Sequence, residues 1–547
     1  MRSAPPVRLL GSAARAALAP LGTAALLPLL PALAAAQGEG AHGEALRSTT
    51  DPVSQAIVGV VIAGLFVLLA LEKAHRVLVV LGAVALLWAV TYLTPYTLVS
   101  LETAQAALDL NVLLLLAAMM AVVGVLKTTG VFGWAVARLL ARANGRPRTV
   151  MRLVAWFTAG ISAVADNVTT VIFVTPMSVR MAGALGVRPA VFLLPMVMAA
   201  NIGGTATLIG DPPNIMIGSG AGLSFIDFLV ALTVPCAVMM LAMEWYAERI
   251  FGGELHAATN AAWSPDPDPP TITDPTLLRW SLAISALIFV GFLTHSLTGM
   301  PAAVPAVLGA AAMLVVQDVL YLRRHRPTQG ERVHGLLDVI EKEIEWPTLI
   351  FFAFLFIAVG AAVATGLIAT VAAALAWAIH AGGDLLGLSP SGTLLFAALL
   401  ICWVSGALSS LIDNIPFVAV TIPIVAGLRT QLPGDTSVLW WALALGACLG
   451  GNGTVVGASA NVTAVGLAER AGHPIGFGEF SRFGVPVTAL TLAIASLYLT
   501  LHVYAGAAGA LGWSAAALVV LAAARIVADR RATVPPPVPR EPARPAA

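Results

Sequence analysis

Charge is scarce in this chain. Asp, Glu, Lys and Arg make up 10% of its 547 residues, where a soluble domain carries about 25%. So few charged groups cannot cover a globular surface, which excludes a water-soluble fold and makes lipid the main solvent. The formal net charge is only +1, so no basic excess points to a nucleic-acid partner. Cysteine is nearly absent. Cys236, Cys402 and Cys448 all lie in apolar segments without CxxC spacing, and read as small packing residues rather than metal or redox groups. The nine histidines do not cluster with carboxylates at ligand spacing, so no structural metal site is expected. GxxxxGK[ST] is missing, which argues against ATP-driven pumping, as are HExxH and a nucleophile elbow. The expectation is a non-enzyme without cofactors. Short alternating strands are lacking too, which argues against a β-barrel.

Apolar runs, by contrast, are abundant: 59% of the residues are hydrophobic and the mean hydropathy is +0.91. Spans of roughly 20 apolar residues, the length that crosses a bilayer, fall near 55–71, 77–98, 107–126, 189–217, 223–247, 277–297, 301–322, 347–369, 438–468, 484–506 and 511–527. These predict an all-α polytopic membrane protein with about 11 transmembrane helices. Two further apolar stretches, 150–182 and 393–430, are interrupted by Asp-Asn pairs.

The N-terminus has the layout of a secretory signal peptide. Arg2, Arg8 and Arg15 precede an apolar run, and "ALAAAQGEG" offers a small-residue site after Ala36. Residues 1–36 are read as that peptide, the alternative being an uncleaved first helix, and 37–54 as a polar periplasmic segment. "WSPDPDPPTITDPT" marks 261–276 as a solvated cytoplasmic linker between a first half, 55–260, and a second, 277–527. The Pro-rich 528–547 reads as a disordered cytoplasmic tail.

Basic clusters at 72–76, 138–148, 323–326 and 529–531 set the orientation, because Lys and Arg favour the cytoplasmic side. Walking the spans from an outside N-terminus puts each cluster inside. Arginine at both ends of 150–182 makes that stretch a re-entrant hairpin from the cytoplasm. The 393–430 stretch, with Asp384 and Asp435 at its flanks, enters from outside. The predicted location is the inner (plasma) membrane of a bacterial-type cell.

The halves repeat. "ADNVTTVIFVTP" matches "IDNIPFVAVTIP", and "NIGGTATLIGDPPN" matches "CLGGNGTVVGASAN". Asp166 and Asp413, Gly203 and Gly450, Thr207 and Thr454, Gly210 and Gly457, and Asn214 and Asn461 are each 247 positions apart. Five spans separate the hairpins, and an odd number inverts the second half. Inverted repeats with broken helices place a substrate site near the midplane.

A carboxylate at membrane depth costs about 2.5–3.5 kcal/mol on insertion scales, so it binds a cation, carries a proton or has a buried partner. Asp166, Asn167, Asp413 and Asn414 are therefore candidate Na⁺ ligands. The alternative, that each Asp caps the following helix, is compatible with ligation. The Gly/Pro-interrupted segments free backbone groups, tolerated only where they line a cavity. Beside them Thr207, Thr454, Asn201, Asn452, Asn214, Asn461 and Asp211 supply oxygens, with Gly203 and Gly453 in the bends. Close helix packing through small residues accounts for the glycines alone equally well.

"DNVTTVIFVTP", "NIGGTATLIGDPPN", "SSLIDNIPF" and "ACLGGNGTVVGASANV" resemble the ArsB/NhaD family of the ion transporter superfamily, and within it the branch of the melanosomal P protein. The resemblance spans roughly residues 50–510. It implies an inverted-repeat ion-transporter fold with a scaffold domain and an elevator-type transport domain, a homodimer, and hairpin tips that meet at the substrate site. Related dicarboxylate transporters carry Ser-Asn-Thr at the tips, where this chain has Asp166-Asn167-Val168 and Asp413-Asn414-Ile415. The expected activity is Na⁺/H⁺ antiport, with small ions and the bilayer as partners. The alternatives are arsenite or antimonite efflux, sodium-coupled anion or dicarboxylate permeation, and a channel or scaffold protein.

Overall fold

The computed structural model describes residues 51–71, 73–143, 146–257, 270–325 and 339–532. The signal-peptide reading of 1–36, residues 37–50, most of the 261–276 linker and the tail from 533 lie outside the described residues. Every regular element among those described is helical, and eleven of the helices are long and apolar enough to cross a membrane.

Polar contacts at the helix ends sort the chain into two faces. One face joins Gln55 to Thr365, Asn111 to Ser219 and to Ala303, and Phe225 to His295. The other is rich in basic residues. There Lys127 pairs with Glu343, Arg152 with Glu244 and Glu248, and Arg188 with Glu254 and Glu479. The hydrogen bond to Glu254, with the two carboxylate charges, raises the Arg188 pKa above the ordinary guanidinium value. Arg525 closes on Glu244 and Glu248, so the last helix also ends on the basic face.

Seven helices, one of them short, form a scaffold. α1 (Pro52–Ala70) packs on α2 (Arg76–Leu93), after which comes the short α3 (Leu101–Ala107), and α4 (Leu110–Thr128) begins at the Asp109 cap. The counterparts in the second half are α12 (Pro275–Thr298), α13 (Ala303–His325) and α14 (Trp346–Ala364). The halves interlock, α4 on α13 and α2 on α14. Leu287, Leu297 and Leu308 are 70%, 84% and 65% exposed on this unit, as suits a face that meets lipid or another protein.

The second unit holds the hairpins. α6 (Pro147–Ser162) turns at 163–166 into α7 (Asn167–Leu185), and α16 (Pro390–Ser409) turns at 410–413 into α17 (Asn414–Arg429). Both start on a proline suited to the first helical position. The hairpins thus run 147–185 and 390–429, a few residues wider or shifted from the 150–182 and 393–430 expected, because the capping residues extend each arm. Helices starting at Pro52 and Pro275 likewise begin before the predicted half boundaries 55 and 277. The first hairpin starts and ends on the basic face, at Arg152 and Arg188. The second is based on the opposite face, where Thr393 and Gln431 lie.

Between the hairpin arms run two broken helices: α8 (Ala190–Thr205) with α9 (Pro212–Ala221), and α18 (Val438–Gly450) with α19 (Ser459–Arg470). Every residue of α8 and α18 is buried, as suits helices apolar on all sides. α8 packs on α6 and α18 on α16; α19 packs on α7 of the other half, and α9 on α17. α10 (Phe225–Ile250), opened by a Ser224–Asp227 capping box, is followed by α11 (Gly252–Ala257) and packs on α20 (Phe477–Ala532), which folds back at Gly506. α20 reaches Ala532, so 528–532 are helical rather than part of a disordered tail.

Two arms link the units, α5 (Val131–Arg142) on α7 and α15 (Leu367–Leu385) on α17. α15 has the length and hydropathy of a span, yet it lies flat. Thr370 near its start meets Gln55. Ala372 abuts Gly427, His380 bonds the Gln431 carbonyl, and Gly383 abuts Thr393, all at the base of the second hairpin.

Candidate functional site

Each hairpin turn closes onto a broken helix through the same set of contacts. Ser162 Oγ donates to the Ala200 carbonyl (2.7 Å), and Ser409 Oγ to that of Ala447 (2.6 Å). Thr207 Oγ1 donates to Ala163 O and Thr454 Oγ1 to Ser410 O. Asn214 Nδ2 caps the carbonyls of Gly204, Thr205 and Thr207, and Asn461 Nδ2 caps those of Gly451 and Thr454. These bonds satisfy the backbone groups freed where the helices break, as a lipid-surrounded core requires. Gly203 lies against the Ala159 backbone and Gly450 against that of Gly406, so a methyl group at either position has no room. Gly453 is similarly closed off by Ser410.

The two breaks are joined at the centre. Asn201 Nδ2 donates to Asn452 Oδ1 (2.9 Å) and Asn461 Oδ1 (3.0 Å), and Asn167 Nδ2 donates to Asn201 Oδ1 (3.2 Å). Cys448, 247 positions after Asn201, reaches Asn214 Oδ1 at 3.4 Å. The thiol therefore occupies the place of the amide in the second half, which its apolar surroundings in the sequence did not reveal.

The repeat is not symmetric in charge. Asp211 stands where the second half has Ala458. It is 2% exposed, accepts from Asn414 Nδ2 at 3.5 Å, and feels the charges of both Asp166 and Asp413. No ion pair to Asp211 exists among the described residues. Asp166 caps α7, accepting from Val168 N, Thr169 N and Thr169 Oγ1. Asp413 caps α17 through Ile415 N, accepts from Ser459 Oγ (2.9 Å) and lies 3.6 Å from Arg76 Nη1. Both Asp side chains thus cap helices, and Asp413 also has a cationic neighbour. Among the described residues no three His, Cys, Asp or Glu gather as a metal cluster.

The hairpin tips face different surroundings. A cavity of about 400 Å³ is lined by Asp413 and Ser459 of the hairpin unit and by His75, Arg76 and Phe351 of the scaffold. It adjoins the basic face, where α1 ends and α2 begins. The first tip, at Ile161, Val164 and Ala165, borders an apolar cavity of about 160 Å³ lined by Met119, Phe289 and Phe292. Sequence reasoning used Arg76 only as an orientation charge and did not single out Ser459; no local motif marks either one.

Two repeated hairpins against two broken helices, in a chain with eleven helices apolar and long enough to cross a membrane, define the architecture of a membrane transporter. The profile of the citrate transporter family matches residues 66–446, and the chain belongs to that family. It is 38% identical over 442 residues to a Mycobacterium tuberculosis protein described as an uncharacterized transporter, covering 80% of this chain and 96% of that one. It is 31% identical over 530 residues to the P protein of Sus scrofa, covering 82% of this chain and 60% of that one. The crystal structure of the Alcanivorax borkumensis YdaH transporter aligns with a TM-score of 0.48 at 16% identity, covering 83% of this chain and 99% of that one.

Proposed function

We propose that the protein is a secondary antiporter of the ArsB/NhaD type that exchanges Na⁺, or a similar small monovalent cation, for H⁺ by elevator-like movement of the hairpin unit. One observation carries this reading: Asp211 is buried, feels the charges of two other carboxylates and has no countercharge among the described residues. A carboxylate so placed is retained where a proton or a metal cation neutralises it. Arg76 offsets only one of the three charges. Asp211, Asp413 and Asp166 alternate between cation and proton, with Asn414 and Asn167 supplying amide oxygens. The basic face is cytoplasmic, so the cavity at Asp413 opens inward.

A citrate-type anion permease is the second reading. The family's description and the presence of His75 and Arg76 in the cavity favour it. Purified protein in liposomes holding a pH dye separates the two. Antiport predicts alkalinisation or acidification on addition of Na⁺ or Li⁺, lost in Asp211→Asn. A response to citrate, with none to Na⁺, would overturn it; a response to arsenite alone would point to metalloid efflux.

A further inference from the structure

Arg76 belongs to the scaffold. Its helix packs on α1 and α14, its Nη2 donates to Thr348 Oγ1 at 2.8 Å, and its guanidinium lies over the Phe351 ring, 5.5 Å from the centroid. Its other terminal nitrogen, Nη1, faces the hairpin unit. It donates to Ser459 Oγ at 3.2 Å and lies 3.6 Å from Asp413 Oδ2. One side chain therefore ties both units together. The tip of the first hairpin has no equivalent tie to a scaffold cation among the described residues. α13 starts at Ala303 where α2 starts at Arg76, and the Asp166 tip adjoins an apolar cavity.

We propose that Arg76 is the coupling residue of the exchanger, a latch that holds the hairpin unit in the cavity-open position while Asp413 is unloaded. The inference rests on the antiport reading. The physical argument is one of competition. An ionised Asp413 is attracted to a fixed guanidinium, and leaving that guanidinium for a drier position costs desolvation with no compensating charge. A proton or Na⁺ on Asp413 cancels the attraction, so the loaded unit is free to move. Side chains 31% and 24% exposed, bordering the cavity, keep the pair within reach of a competing cation. The other charged or titratable groups around the pair are His75 beside Arg76, Asp211 across Asn414, and Glu345, which accepts from Thr348. None of the three spans the two units. An empty carrier held in this way cannot return, and that makes exchange obligatory.

The test uses full-length protein in liposomes with three side chains at position 76. Arg76→Gln removes the charge but keeps a hydrogen-bonding side chain; Arg76→Lys restores the charge. Position is read separately, through labelling of Val462→Cys, which lines the cavity, by an impermeant maleimide without added Na⁺. Arg76→Gln is expected to slow that labelling about tenfold, the effect of about 1.4 kcal/mol on a two-state equilibrium, and to allow Na⁺ leak without counter-transported H⁺. Arg76→Lys is expected to restore both. Unchanged labelling, or strict exchange retained in Arg76→Gln, overturns the latch. Absence of Na⁺/H⁺ exchange in the parent protein overturns the antiport reading instead, and the labelling alone then decides the latch.

Discussion

Asn201 and Asn461 are 260 positions apart and share a hydrogen bond of 3.0 Å at the centre of the hairpin unit. The bond joins the broken helix of one half to that of the other. Asn461 also caps two carbonyls of its own break, so both ends of the bond are committed elsewhere.

Replacing Asn461 by Ala therefore strips the carbonyls of Gly451 and Thr454 and leaves Asn201 short of an acceptor. Unsatisfied buried groups cost about 1–3 kcal/mol each. Asn461→Ala is expected to lower thermal stability in detergent, read by intrinsic fluorescence, and to abolish transport. Wild-type melting would show that the cap is dispensable.

Asp211→Asn should separate stability from activity. The substitution keeps a polar partner for Asn414 and removes a buried ionisable carboxyl that has no ion pair among the described residues. Burying such a charge costs stability. We expect a melting temperature no lower than that of the parent, with cation-driven proton movement lost. A clear fall in stability would assign Asp211 a structural role.

Gly203→Ala and Gly450→Ala test the close approach of each broken helix to its hairpin. A methyl group at either site meets the backbone of Ala159 or of Gly406, which cannot shift as a flexible side chain does. Overpacking of this kind costs about 1–3 kcal/mol. Both variants should melt lower than Gly183→Ala, where a methyl group meets nothing within contact distance.

Arg525→Ala removes the cation that joins the end of α20 to Glu244 and Glu248. Arg152 still faces both carboxylates, so the loss should be partial, about 1.5–3 kcal/mol for hydrogen bonds to charged groups. Limited proteolysis is expected to cut the C-terminal end of α20 faster in the variant while the rest of the chain stays protected.

Much of the architecture was legible because its causes are local. Arginine at both ends of 150–182 announced a segment that returns to its own side, and Arg152 and Arg188 do meet partners on one face. The 247-residue offset announced the paired breaks, and Ser162 with Ser409 shows the same bond twice. What stayed hidden depends on distant parts of the chain. Arg76 looks like any basic residue at a helix start until the fold brings it to Asp413. Asp211 looks like one more polar residue before a Pro-Pro step until Asn414 of the other half covers it. The sequence reading also ended its span at 369 and placed nothing in 370–392. Composition cannot tell an apolar helix that crosses the bilayer from one that lies along its surface.

That flat helix governs how the topology of this protein must be read in experiments. A hydropathy count that takes α15 as a crossing reverses the deduced side of everything after it, including the second hairpin and the C-terminus. Reporter enzymes fused after Gly366 and after Gly387 would sit on the same side of the membrane, although a mostly apolar helix of 19 residues lies between them.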